Sequence, residues 1–425
     1  MRLLLTGANG FIGSHIVAAL LARGHEMTAA VRDPAKLARR FPQVRAVNAD
    51  MSLLLTPESW KPLLQNIDAV INCAGILQSS GSQQAKTIHD VSPRAMFEAA
   101  ACLGITKIVQ VSAVSIDADT EYARTKQAAD DALAQFSLAW VILRPSLVYA
   151  RTAYGGTTML RALAAAPLAV PVVAEGNQLV TPIHAADLAE AVLLAVETNR
   201  LDHKIISPCG PETMTLRDLQ LMYRKWLGLP EAPILHLPRW LVVLAAKVGD
   251  AIGGGPLSTT ALLQIEHGNA ADPRSYATET GLSPRSLAHF FTQEPAGTAE
   301  LWHARSYLLR PIVTFSLVTL WFLSGVSGLW ANADAIQAAS PHLPLAFSYW
   351  AGKLTSIFDL AITGLLLWGR NFRLTFHLQW LAVLAYTLLF TLLAPSLWLE
   401  LLGPLLKNIP ILALICVWRV LAEER

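Results

Sequence analysis

The stretch LLLTGANGFIGSH, residues 3–15, narrows the fold of this chain more than any other part of it. Gly7, Gly10 and Gly13 stand three apart between a short apolar run and a segment whose apolar residues recur at helical spacing. A buried strand that turns sharply into a helix needs residues of this kind. One glycine permits the tight turn, a second lets an outside group approach the backbone, and a third lets helix and strand pack closely. The open end of that helix presents free N–H groups and a positive dipole, which together suit a diphosphate.

The alternation continues downstream. Apolar runs at 2–6, 27–31, 68–72, 107–111 and 140–143 read as buried parallel strands, with helices at 11–23, 87–103 and 122–135 between them. This order predicts an α/β fold, a Rossmann-type doubly wound parallel sheet over residues 1–150. Residues 151–300 are less regular, with turns at Gly176-Asn177, Pro208, Gly210-Pro211 and Gly253-Gly254-Gly255. Helices are expected to open there at His184 and Thr215, in a small α/β part that covers a cleft.

Composition shifts after residue 300. The 425-residue chain is 53% hydrophobic and 15% charged, and residues 301–425 hold 13 of its 64 charged side chains but 8 of its 12 tryptophans. Segments 311–330, 345–368, 374–394 and about 399–420 approach the roughly 20 apolar residues that cross a bilayer, so 305–425 is expected to be an all-α four-helix transmembrane domain. The loop 331–344 has no Lys or Arg, whereas Arg305, Arg310, Arg370, Arg373, Arg419 and Arg425 flank the other ends. That asymmetry places the N-terminal domain and the C-terminus in the cytoplasm of a bacterial-type inner membrane. Because Met1-Arg2 leads straight into the first strand, no secretory signal is expected ahead of it. Trp302, Trp330, Trp368 and Trp418 fall near helix ends and are expected in an interfacial belt. Asp359 lies deep in a span and is expected to pair with Lys353 or Lys407.

A net charge of +2 offers no broad basic surface, so nucleic acid is not an expected partner. Cys73, Cys102, Cys209 and Cys416 are scattered without a C-x-x-C pair and read as reduced packing residues. The histidines show no metal-ligand spacing, and no metal site is expected.

Two further stretches carry chemistry. The second strand ends TAAVRDP, where an acidic residue would hold the ribose of NAD and an arginine would hold the 2′-phosphate of NADP; Arg32 favours NADP and leaves NAD open. Asp50, after RAVNAD, is placed to reach the adenine edge or to close a turn. In EYARTK, Tyr122 and Lys126 are four apart and share a helix face. A nearby ammonium is expected to lower the phenol's pKa, so Tyr122 would exchange a proton with a substrate oxygen while Lys126 also binds ribose hydroxyls.

The chain resembles the extended or atypical short-chain dehydrogenase/reductases. That group includes NAD(P)-binding epimerase/dehydratase-like proteins and the nucleotide-binding accessory subunit of respiratory complex I. The resemblance rests on TGANGFIG, DAVINCAG, YARTK, VILRPSLVY and LVTPIHAADLAEAV, and spans about residues 1–290. The tail, with LLRPIVTFSLVTLWFLSG and GPLLKNIP, resembles DoxX-like four-helix membrane domains. The first resemblance implies that Gly7, Gly10, Phe11, Ile12 and Gly13 line the phosphates, that Ala74 and Gly75 lie along the cofactor, and that Pro145 lies near the nicotinamide. It also implies a catalytic trio of a hydroxyl residue with Tyr122 and Lys126, the hydroxyl coming from Ser112 or Ser115.

The expectation is a membrane-anchored NAD(P)(H)-dependent oxidoreductase acting on a carbonyl or alcohol of a small hydrophobic substrate. The alternatives are a nucleotide sensor or assembly factor that holds a structural dinucleotide and docks a membrane-protein partner, and a sugar epimerase or dehydratase. His184 and Asp187 are weaker candidates to reach cofactor or substrate; His15 reads as a packing residue.

Overall fold

The computed structural model describes residues 1–79, 84–251, 257–334, 344–369, 371–399 and 403–423. Gly253-Gly254-Gly255, Arg370, Arg425 and most of the loop 331–344 therefore lie outside the described residues. The chain divides into two compact units, Met1–Ala304 and Arg305–Arg425.

In the first unit, β1 (Arg2–Thr6), β2 (Glu26–Val31), β3 (Arg45–Asn48), β4 (Ala69–Asn72), β5 (Lys107–Val111) and β6 (Ala139–Leu143) form one parallel sheet with an edge strand, Lys204–Ile206. Its order is the edge strand, then β6, β5, β4, β1, β2 and β3. The order reverses between β1 and β4, and the crevice at that switch point is where doubly wound sheets hold ligands. β4 and β5 are buried at every position, as expected of strands covered on both faces. Leu3, Leu5, Ile71, Val109 and Val141 face one core, and Leu4, Val70, Ile108 and Ile142 face another that includes Trp60, Phe97 and Trp140.

Two strands escape the sequence pattern. Arg45–Asn48 is short and at best half-buried, and Lys204–Ile206 returns to the sheet beside β6 after a long excursion. The helix Ala185–Glu197 also packs into the sheet's core, so the chain after residue 150 does not leave the sheet for good. His184 and Thr215 cap their helices by accepting hydrogen bonds from Ala186 N and Asp218 N, as their positions predict.

The second unit contains the helices Leu345–Trp368, Phe372–Leu393 and Asn408–Ala422 and most of Thr298–Trp330. Among the described residues, three helices are long and apolar enough to cross a membrane. The fourth expected span is different. After a 3-10 turn at Pro395–Trp398 the chain forms a helix of only 15 residues, about 22 Å at ~1.5 Å per residue, short of the ~30 Å hydrocarbon core.

Asp359 and Lys353 in this unit are satisfied by neutral partners. Asp359 does not pair with a lysine: it accepts hydrogen bonds from Ser324 Oγ at 2.6 Å and Tyr386 OH at 3.3 Å, tying three helices together. Lys353 Nζ instead donates to the carbonyls of Gly328, Leu329 and Ala331 at 3.2, 2.5 and 2.9 Å, while Lys407 is exposed. Gly325 permits the close approach, because a Cβ there would stand 2.8 Å from the Ser356 carbonyl. Trp418 is a second correction. It is buried in the bundle and donates to Thr314 Oγ1 at 3.2 Å, whereas Trp302, Trp330 and Trp368 are exposed.

Asp359→Leu leaves the Ser324 and Tyr386 hydroxyls without their shared acceptor, a loss of about 1–3 kcal/mol. Thermal unfolding in detergent is expected to move to lower temperature, and Asp359→Asn, which keeps an acceptor, is expected to lose less.

Candidate functional site

At the end of β1 the chain turns with Gly7 at φ +72°, a left-handed conformation that glycine adopts without strain. A Cβ on Gly7 would stand 2.6 Å from the Cys73 carbonyl, and one on Gly13 would collide with the Gly7 carbonyl. The three-residue spacing therefore has a steric cause on both sides of the turn. Gly10 is the N-cap of the helix Phe11–Ala22, and no side chain caps it, so the first-turn amides are left for an outside acceptor. The first turn carries no acidic residue to compete for that acceptor. Asn9 Nδ2 donates to the Asp33 carbonyl at 3.1 Å and fastens the glycine turn to the end of β2.

Arg32 follows β2 directly. Its side chain is exposed and makes no hydrogen bond or ion pair among the described residues. Asp33 caps the next helix through Lys36 N at 2.9 Å. Asp50 accepts from Ser52 N and Ser52 Oγ at 2.9 and 2.8 Å, a turn-closing arrangement.

Beneath the strand ends lies a buried polar ladder. Thr6 Oγ1 donates to Asn72 Oδ1 at 2.5 Å, Asn72 Nδ2 donates to Gln110 Oε1 at 2.8 Å, and the amides of Cys73 and Ala74 donate to Thr6 Oγ1, each at 3.2 Å. The ladder fixes how the chain leaves β4, and so where Ala74 and Gly75 stand.

Tyr122 and Lys126 are on the helix Glu121–Leu133, capped by Thr120. Lys126 is buried, and its Nζ donates to the carbonyls of Ala74 at 3.2 Å and Val111 at 3.1 Å. A Cβ at Gly75 would come within 3.3 Å of that nitrogen, so the sequence brings Gly75, Ala74 and Lys126 together. Pro145 is buried, and its carbonyl accepts from Val114 N at 3.2 Å. Both candidate serines have partners. Ser112 Oγ donates to Asp130 Oδ2 at 2.8 Å, and Ser115 Oγ donates to Gln264 Oε1.

Sequence reasoning missed His89 and Asp130. His89 sits in a π-helical turn, Thr87–Val91, a local irregularity frequent at functional sites. Its Nε2 accepts from Ile76 N at 2.9 Å, which assigns the proton to Nδ1, 2.9 Å from Thr125 Oγ1. Its ring meets that of Tyr122 edge-on at 5.4 Å. Asp130 is one helical turn past Lys126, buried, and held by Ser112 and by Arg144 Nε at 3.0 Å. The i,i+4 step from Lys126 to Asp130 was readable; the π turn has no sequence signature.

Burial controls the protonation states. It pushes His89 down to about 2, with help from the Lys126 charge, so the imidazole is neutral. Burial likewise raises the Cys73 thiol to about 12. It lowers the Lys126 pKa and raises that of Asp130; the charges of Asp130 and Cys73 oppose the first shift, and the Ser112 bond and the Arg144 charge oppose the second. Tyr122 corrects the sequence expectation. Its phenol is raised to about 12 by burial and by the charges of Asp130 and Cys73, not lowered by the lysine. His184 and Asp187 are occupied as well: His184 Nδ1 caps its helix, and Asp187 binds the Arg285 amide and guanidinium at 3.0 Å each. His15 packs edge-on against Phe11 at 5.6 Å.

The profile of an NAD(P)H-binding family matches residues 7–199, and that of the DoxX-like family matches residues 318–416. The chain is similar to a ceramide reductase of Caulobacter vibrioides, 29% identical over 198 residues, or 46% of this chain and 60% of that protein. It is also similar to a dTDP-4-dehydrorhamnose reductase of Mycobacterium tuberculosis, 29% identical over 221 residues, covering 45% of this chain and 64% of the relative. The chain thus spans less than two thirds of the length of both relatives. Among solved structures, the dTDP-glucose 4,6-dehydratase of Streptomyces venezuelae with bound NAD superposes with a TM-score of 0.54 at 18% identity, over 71% of this chain and 97% of the other. That likeness shows the shared Rossmann fold.

Gly13→Val drives a branched side chain into the Gly7 carbonyl. Binding of NADPH, followed by quenching of protein fluorescence, is expected to weaken by about tenfold or more, a loss of ~1.4 kcal/mol.

Proposed function

We propose that this chain is a membrane-anchored NAD(P)H-dependent oxidoreductase that interconverts a carbonyl and an alcohol on a hydrophobic substrate. The observation that carries this reading is the placement of Tyr122 and Lys126. Both lie on the helix Glu121–Leu133, and Lys126 is bonded to the carbonyls that end β4 and β5, beside the switch point where the glycine turn opens. The names of the two curated relatives, both reductases, support the same class of chemistry.

The residues fit a dinucleotide. The uncapped amides after Gly10 suit its diphosphate, and the exposed Arg32 at the end of β2 suits a 2′-phosphate, so NADP is the proposed cofactor. An ammonium has three N–H donors; two serve Ala74 and Val111, and the third is left for a ribose hydroxyl. Bound NADPH supplies the hydride for the carbonyl carbon. Tyr122 then acts as the acid that protonates the carbonyl oxygen, and with its pKa near 12 it stays protonated throughout the neutral range. Lys126 holds the ends of β4 and β5 in register with that phenol. The Arg305, Arg310 and Arg373 charges support a cytoplasmic nucleotide domain.

Purified protein in detergent is the test. Net oxidation of NADPH is expected with one or more members of a ketone, aldehyde and quinone panel; an epimerase or a nucleotide sensor would leave NADPH unconsumed. Tyr122→Phe is expected to lower turnover by about 10²–10⁴-fold while NADPH still binds. Because the raised pKa preserves the acid form, kcat/KM for reduction is expected to stay level from about pH 6 to about pH 11, past the ordinary tyrosine value of about 10 at which half of the acid form would otherwise be lost. Arg32→Glu is expected to raise the KM for NADPH by about tenfold and to spare NADH, since only the 2′-phosphate meets the reversed charge.

A further inference from the structure

The helix Arg239–Ala251, RWLVVLAAKVGDA, buries one face and leaves the other bare. Ala246 and Gly249 turn inward, and a Cβ at Gly249 would run into the Leu257 carbonyl, so the helix lies tightly against the segment that follows. Arg239 forms a two-pronged ion pair with Glu266 of the helix Thr259–His267, at 2.7 and 3.1 Å. The opposite face carries Trp240, Leu241, Leu244 and Val248, which are 68%, 40%, 54% and 53% exposed. These positions recur at helical spacing and form one apolar stripe, with the exposed Lys247 at its margin. A stripe of large apolar side chains facing water marks a surface that meets something apolar.

We infer that this helix lies in the surface of the bilayer with Trp240, Leu241, Leu244 and Val248 in the lipid, so that the site at Tyr122 draws its carbonyl substrate from the membrane. The occupant follows from the chain itself. Its helices of 33, 24 and 22 residues are long and apolar enough to cross a bilayer, and in the membrane-anchored protein proposed above they would tether the first unit to a lipid surface. An amphipathic helix with a tryptophan at one end and a lysine that can reach the headgroups suits that surface. A soluble partner would leave the tether unexplained.

The helices Arg239–Ala251 and Thr259–His267 are both wired to the candidate site. Asp250 accepts from Gln78 Nε2 at 2.8 Å, three residues after Gly75, and from Thr259 Oγ1 at 2.8 Å. From the helix Thr259–His267, Gln264 bonds Ser115 and donates to Thr120 Oγ1 at 2.7 Å, and Thr120 caps the helix that carries Tyr122. Docking of the helix Arg239–Ala251 therefore bears on the loops that border Tyr122, and the substrate class becomes a carbonyl on a lipid chain. This deepens the oxidoreductase reading and rests on it.

The test uses the full chain with p-benzoylphenylalanine placed at Leu244, reconstituted in phosphatidylethanolamine/phosphatidylglycerol vesicles and irradiated. Phospholipid adducts, read by peptide mass spectrometry, are expected at about ten times the level of a control at the exposed Glu98. Adducts to residues 305–425, adducts to a second copy, or no excess over the control would overturn the docking. In a second arm, the triple substitution Trp240→Ser, Leu244→Ser, Val248→Ser is expected to cut reduction of 2-octadecanone carried in vesicles by about tenfold and to leave butanone reduction within about twofold. Unchanged rates on both, or equal loss on both, would overturn the uptake route. If the unaltered protein reduces neither ketone, the reductase reading falls, and the crosslink still decides where the helix lies.

Discussion

An ammonium removed from water has to be bonded on the spot, and the site of this protein is organised around that demand. Lys126 meets it with two main-chain carbonyls, those of Ala74 and Val111. Because these carbonyls end β4 and β5, one side chain locks the helix Glu121–Leu133 onto the sheet at the switch point. Rotation of that helix would strand a buried charge, which costs several kcal/mol, so the position of Tyr122 four residues earlier is inherited from the bonds of Lys126. The neighbourhood conforms. Gly75 lacks the Cβ that would crowd the ammonium, and Asp130 supplies a counter-charge one turn further on.

The same burial decides the site's acid strength. Lys126 alone would favour a phenolate, but its charge is spent on carbonyls and offset by Asp130, and desolvation of the phenol prevails. His89 is neutral for the same reason, and its two nitrogens are engaged by Ile76 and Thr125. The arrangement keeps a neutral acid beside a fixed cation, an order suited to delivering a proton rather than to storing a nucleophilic phenolate.

What the sequence revealed follows from which forces leave a periodic trace. β1, β4, β5 and β6 are buried at nearly every position because both faces are covered, and their mostly apolar runs are legible. Arg45–Asn48 and Lys204–Ile206 carry polar residues and lie at the edges of the sheet, so the pattern fades there. The glycine turn was legible because its spacing is steric. Partner choice was not. Asp359 was expected to seek a lysine, yet hydroxyls of Ser324 and Tyr386 satisfy it without importing a second charge among the apolar helices. Trp418 shows the same blindness: composition places a tryptophan near a helix end but does not say which face packs inward.

The two serines after β5 differ in what holds them. For either hydroxyl to meet a substrate oxygen, it must give up its present bond. That of Ser112 runs to the buried Asp130 carboxylate, and a bond to a charged group is worth about 1.5–3 kcal/mol. The bond of Ser115 joins it to the neutral amide of Gln264, a class worth about 0.5–1.5 kcal/mol, and Gln264 can keep its other bond to Thr120 when Ser115 turns away. Breaking the first bond would also leave Asp130 with less to hold its charge beside Lys126, and so disturb the ammonium on which the helix depends. We therefore propose that Ser112 belongs to the scaffold of the lysine and that Ser115 is the hydroxyl a substrate oxygen would redirect at the smaller cost.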